Sequence, residues 1–68
     1  MSPEKMVHMV NQIATFFKTQ PGTDQAARVA AHIRDFWEPR MRQQLREFVA
    51  TGGEGLDDIA LKAARMID

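Results

Sequence analysis

Apolar residues recur at three- and four-residue intervals from Met6 to Phe17, the spacing that puts side chains on one face of an α-helix. Met6, Met9, Val10, Ile13, Ala14 and Phe17 form the centre of the stripe, and Val7 and Phe16 widen it to an arc of roughly 180°. His8, Asn11, Thr15 and Lys18 take the opposite face. Ser2-Pro3-Glu4 reads as the start: a serine cap, a proline at the first helical position and an acid against the dipole. So broad an apolar arc in a small chain predicts contacts beyond the chain's own core.

Gln20-Pro21-Gly22-Thr23-Asp24 predicts a turn, with Thr23 or Asp24 as the next cap. A second helix then runs to about Trp37, with Val29, Ala30, Ile33, Phe36 and Trp37 on one side. Its pattern repeats the first at an offset of twenty residues: Ile13 with Ile33, and Phe16-Phe17 with Phe36-Trp37. Shared amphipathic patterning accounts for this, and it predicts an antiparallel hairpin with bulky ends. Pro39 has no amide and disfavours helical geometry at Glu38, so Glu38 is a break and weak cap, with Pro39 opening a third helix.

Met41, Leu45, Phe48 and Val49 make a narrower stripe on that third helix, and Thr51-Gly52-Gly53-Glu54-Gly55 stops it. Asp57 caps the last helix, and Leu56 can staple onto Leu61. In that helix Ala60, Ala63, Ala64 and Ile67 face one way, while Ile59, Leu61 and Met66 widen the apolar arc. It packs centrally or offers apolar surface to a partner, and its terminal position favours the second. The expectation is an all-α helical bundle of four helices forming a single domain over residues 1–68, two longer helices in a hairpin followed by two shorter ones.

Length and composition narrow the chemistry. A chain of 68 residues buries only about 60% of its unfolded surface, so its core is marginal, and association is one of the usual remedies. Without cysteine it has no disulfide, thiolate metal site or thiol nucleophile. Net charge is zero, against the excess of Lys and Arg typical of nucleic-acid modules. No apolar run approaches the ~20 residues of a membrane span, and no signal-peptide pattern opens the chain. A cytoplasmic protein with neither nucleic-acid nor membrane partner is expected.

Several constellations have simpler explanations than catalysis. His8 and His32 are the only imidazoles and read as exposed or rim residues, not metal ligands. Asp57-Asp58 is accounted for by capping and the dipole. Gly52-Gly53-Glu54-Gly55 lacks the Lys-Ser/Thr of a phosphate loop and follows a helix. Arg28, Arg34, Arg40, Arg42 and Arg46 outnumber Asp35 and Glu38, so the middle of a neutral chain is locally basic. Tryptophan and arginine are enriched at the energetic centres of interfaces, and arginine forks pair with carboxylates. A protein interface ranks first for this stretch, a solvated face second, and helix-turn-helix DNA binding third. Trp37, beside Ile33, reads as mainly core-facing with its indole N–H at the rim.

Met9, Asn11-Gln12-Ile13-Ala14, Phe16-Phe17, Val29-Ala30, His32-Ile33 and Phe36-Trp37-Glu38-Pro39-Arg40-Met41-Arg42 together closely resemble the small delta subunit of NAD-dependent, molybdenum- or tungsten-containing formate dehydrogenases. The resemblance extends from about Met6 to Leu56 and includes Gly52-Gly53 and Gly55-Leu56. Glu38 stands where that family typically has aspartate, and Val10 where a small residue is usual. The resemblance implies a non-catalytic subunit with no cofactor of its own. In such complexes the alpha subunit carries the bis-molybdopterin guanine dinucleotide cofactor and iron–sulfur clusters. The beta and gamma subunits bring flavin, further clusters and NAD chemistry, and the delta subunit is linked to assembly, cofactor loading or stability.

The expected partner is therefore the alpha subunit, or the whole alpha-beta-gamma complex, with self-association in isolation. The expected partner-binding residues are Phe36, Trp37, Pro39, Arg40, Met41 and Arg42. The competing readings are a small DNA-binding regulator using the Arg28 to Arg46 face and a free-standing helical homodimer.

Overall fold

The computed structural model describes residues 1–67. Helix α1 spans Pro3–Lys18, α2 Gln25–Phe36, α3 Pro39–Ala50 and α4 Asp58–Arg65, and the described residues include no strand. The fold is the all-α bundle that the helical spacing implied. Helix lengths differ from expectation: α2 and α3 each have twelve residues, and only α4, with eight, is short. The narrow stripe of α3 continues at full helical period until glycine stops it.

The ends follow local chemistry with one exception. Ser2 accepts from the Lys5 amide at 3.3 Å, with Pro3 at the first helical position. At the end of α3, the Gly53 amide donates to Phe48 O at 3.1 Å and the Gly52 amide to Val49 O at 3.0 Å. This is the Schellman pairing, with Gly52 at φ 123°. Gly53 is also left-handed at φ 63°, and a Cβ there would sit 2.7 Å from Leu61 Cδ1 and 3.5 Å from Leu56 Cδ1. The two leucines of the expected staple thus both converge on a position that only glycine fits. Asp57 caps α4 by accepting from the Ala60 amide at 2.8 Å.

The exception is α2. Asp24 occupies its cap position but is left-handed at φ 62°, and its side chain makes no capping bond. Aspartate tolerates this conformation better than most residues. The tight turn through Gly22, at φ 116°, sets that backbone, so the expected carboxylate cap does not form.

One apolar cluster draws on all four helices, and Met6, Val10, Val29, Ile33 and Leu45 are its largest fully buried side chains. Helix α4 packs against each of the other three, and α1 also packs against α2. Ala60, Ala63, Ala64 and Ile67 are all buried. The expectation that α4 would mainly offer surface to a partner is therefore corrected. Alanine carries so little bulk that three helices close around it. Met66, 45% exposed, is what remains outside.

The loop before α4 is fastened by a residue that the sequence places on a polar face. Asn11 Nδ2 donates to Gly55 O at 2.9 Å, and the Asp57 amide donates to Asn11 Oδ1 at 2.9 Å. One side-chain amide thus satisfies a backbone acceptor and a backbone donor. Asp57 then uses one carboxylate oxygen for its cap and the other for Lys18 Nζ at 3.2 Å. Replacing Asn11 with alanine removes both bonds and strands the partly buried Asp57 amide, leaving the exposed Gly55 carbonyl to water, which should cost about 2 kcal/mol. Thermal denaturation should show a fall of roughly 8–16 °C, whereas alanine at exposed Gln12 next door should leave the midpoint nearly unchanged.

Candidate partner-binding surface

The segment joining α2 to α3 divides into an inner and an outer part. Trp37 is only 6% exposed and lies in the core, its amide closing α2 onto Ile33 O at 2.8 Å. Among the described residues its indole N–H has no partner and no buried side-chain nitrogen is left unsatisfied, so that N–H reaches the surface. Arg42 turns inward as well: its Nη1 donates to Trp37 O at 2.6 Å and to Arg34 O at 3.3 Å. A guanidinium on the last carbonyls of a helix satisfies groups left open there and opposes the negative end of its dipole. Met41 is half-buried against the core. Phe36, Glu38, Pro39 and Arg40 are exposed, and Glu38 occupies the α3 cap position without a side-chain capping bond.

Phe36 is 75% exposed and belongs to a row of rings crossing the α1–α2 face. Its centroid is 4.8 Å from that of His32. His32 meets Phe17 edge to face at 6.2 Å, and Phe17 meets Phe16 in the same manner at 5.2 Å. Such offset and edge contacts suit the ring quadrupoles. The row ends on Phe16, 58% exposed. Gln12, Ile13, Phe16, Phe17 and His32 line a shallow, largely apolar groove beside it. The twenty-residue offset seen in the sequence thus recurs in burial: Phe17 and Trp37 turn inward, Phe16 and Phe36 outward.

Arg28, His32 and Phe36 follow at intervals of four, so they share one ridge of α2. The side chains of Arg28, Arg34 and Arg40 are exposed and form no ion pair among the described residues. His8 is exposed on α1 and lines a shallow concavity with Gln12, Thr15 and Phe16, at the outer end of the ring row. Among the described residues no three His, Asp or Glu side chains gather as metal ligands would. No described helix is long and apolar enough to cross a membrane.

A family model for the NADH-dependent formate dehydrogenase delta subunit, FdsD, matches residues 5–64. The chain belongs to that family. Comparison with curated proteins found no match. The two stretches through which the sequence resembles delta subunits now have separable physical roles. Asn11 holds the loop before α4 and Arg42 closes α2, whereas Phe36, Pro39 and Arg40 face solvent. Sequence reasoning placed Asn11 on a polar face and in the family motif without its loop-holding role, and missed His32 as a bridge between rings, because both roles depend on contacts outside their own helix.

A pair of substitutions separates the two kinds of residue. Alanine at Arg42 should lower stability by about 2 kcal/mol by removing charge-assisted bonds to helix carbonyls. Alanine at Arg40 should change it by less than about 0.5 kcal/mol. Chemical denaturation of the two variants, with equal slopes, measures the difference. Trp37→Ala should cost about 3–5 kcal/mol, so it reports on folding before it reports on any partner.

Proposed function

We propose that this chain is a non-catalytic accessory subunit of NAD-dependent formate dehydrogenase. In this reading it binds the large molybdopterin-containing alpha subunit and supports assembly, cofactor loading or stability of the complex. The observation that carries the reading is the delta-subunit family match across residues 5–64. Two physical features support it. The chain keeps Phe16 and Phe36 in solvent, and Arg28, Arg34 and Arg40 are exposed and form no ion pair among the described residues. It also has no cysteine with which to hold an iron–sulfur cluster.

Within the segment from Phe36 to Arg42, we assign direct contact to Phe36, Pro39, Arg40 and the accessible edge of Met41. Trp37 and Arg42 act from inside, fixing the angle at which α3 leaves α2 and so the presentation of the other four. Of the arginines on which a DNA-binding role would draw, Arg42 is committed to helix carbonyls.

Co-expression of the large subunit with and without this chain tests the reading. A tagged chain should retain the large subunit through purification. Omitting the chain should lower the yield, molybdopterin content or formate-dependent NAD reduction of the remaining complex severalfold. A large subunit that is fully loaded and active without the chain, and that never co-purifies with it, would reject the assignment.

A further inference from the structure

The first turns of α1, the last turn of α3 and the glycine loop border a shallow groove that carries its own charge. Pro3, Val7 and Phe48 make its apolar floor, Gly55 closes one side, and Glu4 and Glu54 are the charged residues of the lining. The elements that form it are fastened. Gly55 is left-handed at φ 92°, and a Cβ there would lie 3.4 Å from Val7 Cγ1. Asn11 donates to the Gly55 carbonyl at 2.9 Å, and Phe48 packs against the core. Glu4 and Glu54 form no ion pair among the described residues.

Neighbouring groups do not cancel that charge. Lys5 leaves α1 about 160° round from Val7, on the other side of the helix. His8, one turn on from Glu4, lines the concavity beside Phe16 instead. Gln44, one turn before Phe48, donates to the Met1 carbonyl at 2.7 Å, yet the Met1 amine pairs with neither carboxylate among the described residues. From Glu47 to Leu61 the chain has four acidic residues and no Lys or Arg. Of these, Asp57 pairs with Lys18 at 3.2 Å, and Glu47 accepts from the neutral Gln43 at 3.2 Å.

We propose that this groove receives an arginine or lysine side chain from an apolar segment of the large subunit. The aliphatic stem lies across Val7 and Phe48, and the charged head meets Glu4 and Glu54. The inference rests on the accessory-subunit reading and adds a second contact, its place and the charge it selects. Long basic side chains lay their methylenes on apolar surface and keep the head at its edge. Carboxylates then satisfy the head through charge-assisted hydrogen bonds.

A second copy of this chain fits less well. Its exposed Arg28, Arg34 and Arg40 each stand within four residues of an exposed carboxylate, Asp24, Asp35 or Glu38. Those acids would approach Glu4 and Glu54 with like charge, which opposes association. A divalent cation is also disfavoured: calcium takes about 6–8 oxygen ligands, and no three acidic or imidazole side chains gather among the described residues.

The test uses the full chain, tagged and co-expressed with the large subunit. Glu4→Gln with Glu54→Gln removes the charge at nearly constant shape and should weaken retention about tenfold. Retention by the parent chain should fall as salt is raised, and that of the double variant much less. Both side chains are exposed, so the variant should melt close to the parent. Glu4 also faces the positive end of the α1 dipole; should the double variant melt early, Glu54→Lys in the loop decides alone, with a severalfold loss expected. Glu47→p-benzoylphenylalanine leaves both groove carboxylates in place, and the peptide it crosslinks should carry Arg or Lys among apolar residues. Changing that base to glutamate should weaken binding to the parent chain, and Glu54→Lys should restore part of the loss.

Crosslinking to another copy, or to a segment without a base, overturns the proposal. So does full-strength binding by both the double variant and Glu54→Lys, or a rise in melting temperature with calcium or magnesium that those variants abolish. Failure of the unmodified chain to retain the large subunit removes the accessory-subunit reading itself, whereas retention indifferent to these substitutions removes only the groove.

Discussion

An eight-residue helix does not persist in water by itself, because the cost of nucleating it exceeds what so few hydrogen bonds return. Helix α4 exists because three other helices close around it, and they close because Ala60, Ala63 and Ala64 leave room. The dependence runs both ways. Without α4, the apolar stripes of α1, α2 and α3 would lose the surface against which they are buried. The glycine loop ahead of α4 therefore has to deliver it at a fixed position. Asn11 from α1, the Schellman turn at the end of α3 and the Asp57 cap hold that loop from three directions.

This arrangement encloses Met6, Ile33, Leu45 and Trp37 together with the alanines of α4, and leaves Phe16, Phe36 and Met66 outside. A chain of four short helices has too little interior to enclose every ring. Phe17 and Trp37 occupy the inward positions at the ends of α1 and α2, so Phe16 and Phe36 face solvent. Adjacent residues on a helix point about 100° apart, and with Phe17 and Trp37 turned inward Phe16 and Phe36 fall outside the core-facing arc. The resulting row, bridged by His32, is the most extended aromatic surface among the described residues.

Residues that mark the chain as a delta-subunit relative need not all touch a partner. Asn11 and Arg42 satisfy backbone groups, and Trp37 fills the core. Removing any of them would disturb the shape that carries Phe36, Pro39 and Arg40. A motif of this kind combines exposed residues with the joint that sets their position. Loss of binding on substitution would therefore have different physical meanings at neighbouring positions: lost contact at Phe36, altered presentation at Arg42.

The four helices and most of their ends were legible in the sequence because local chemistry sets them. Apolar spacing marks a helix, Pro3 and Pro39 can sit only at a start, and consecutive glycines close a helix with left-handed backbone. Family membership was also legible, since residue identities carry it. Three features were not: the unused carboxylate of Asp24, the amide bridge of Asn11 and the central place of α4. The first depends on the path of a turn, the second on a partner 44 and 46 residues away in the chain, and the third on which of several apolar arcs face one another. Sequence by itself determined which residues are apolar and at what angle each leaves its helix. Only the tertiary structure decided which of those arcs meet, because that choice depends on how closely whole helices can approach, and here alanine and glycine set the distance.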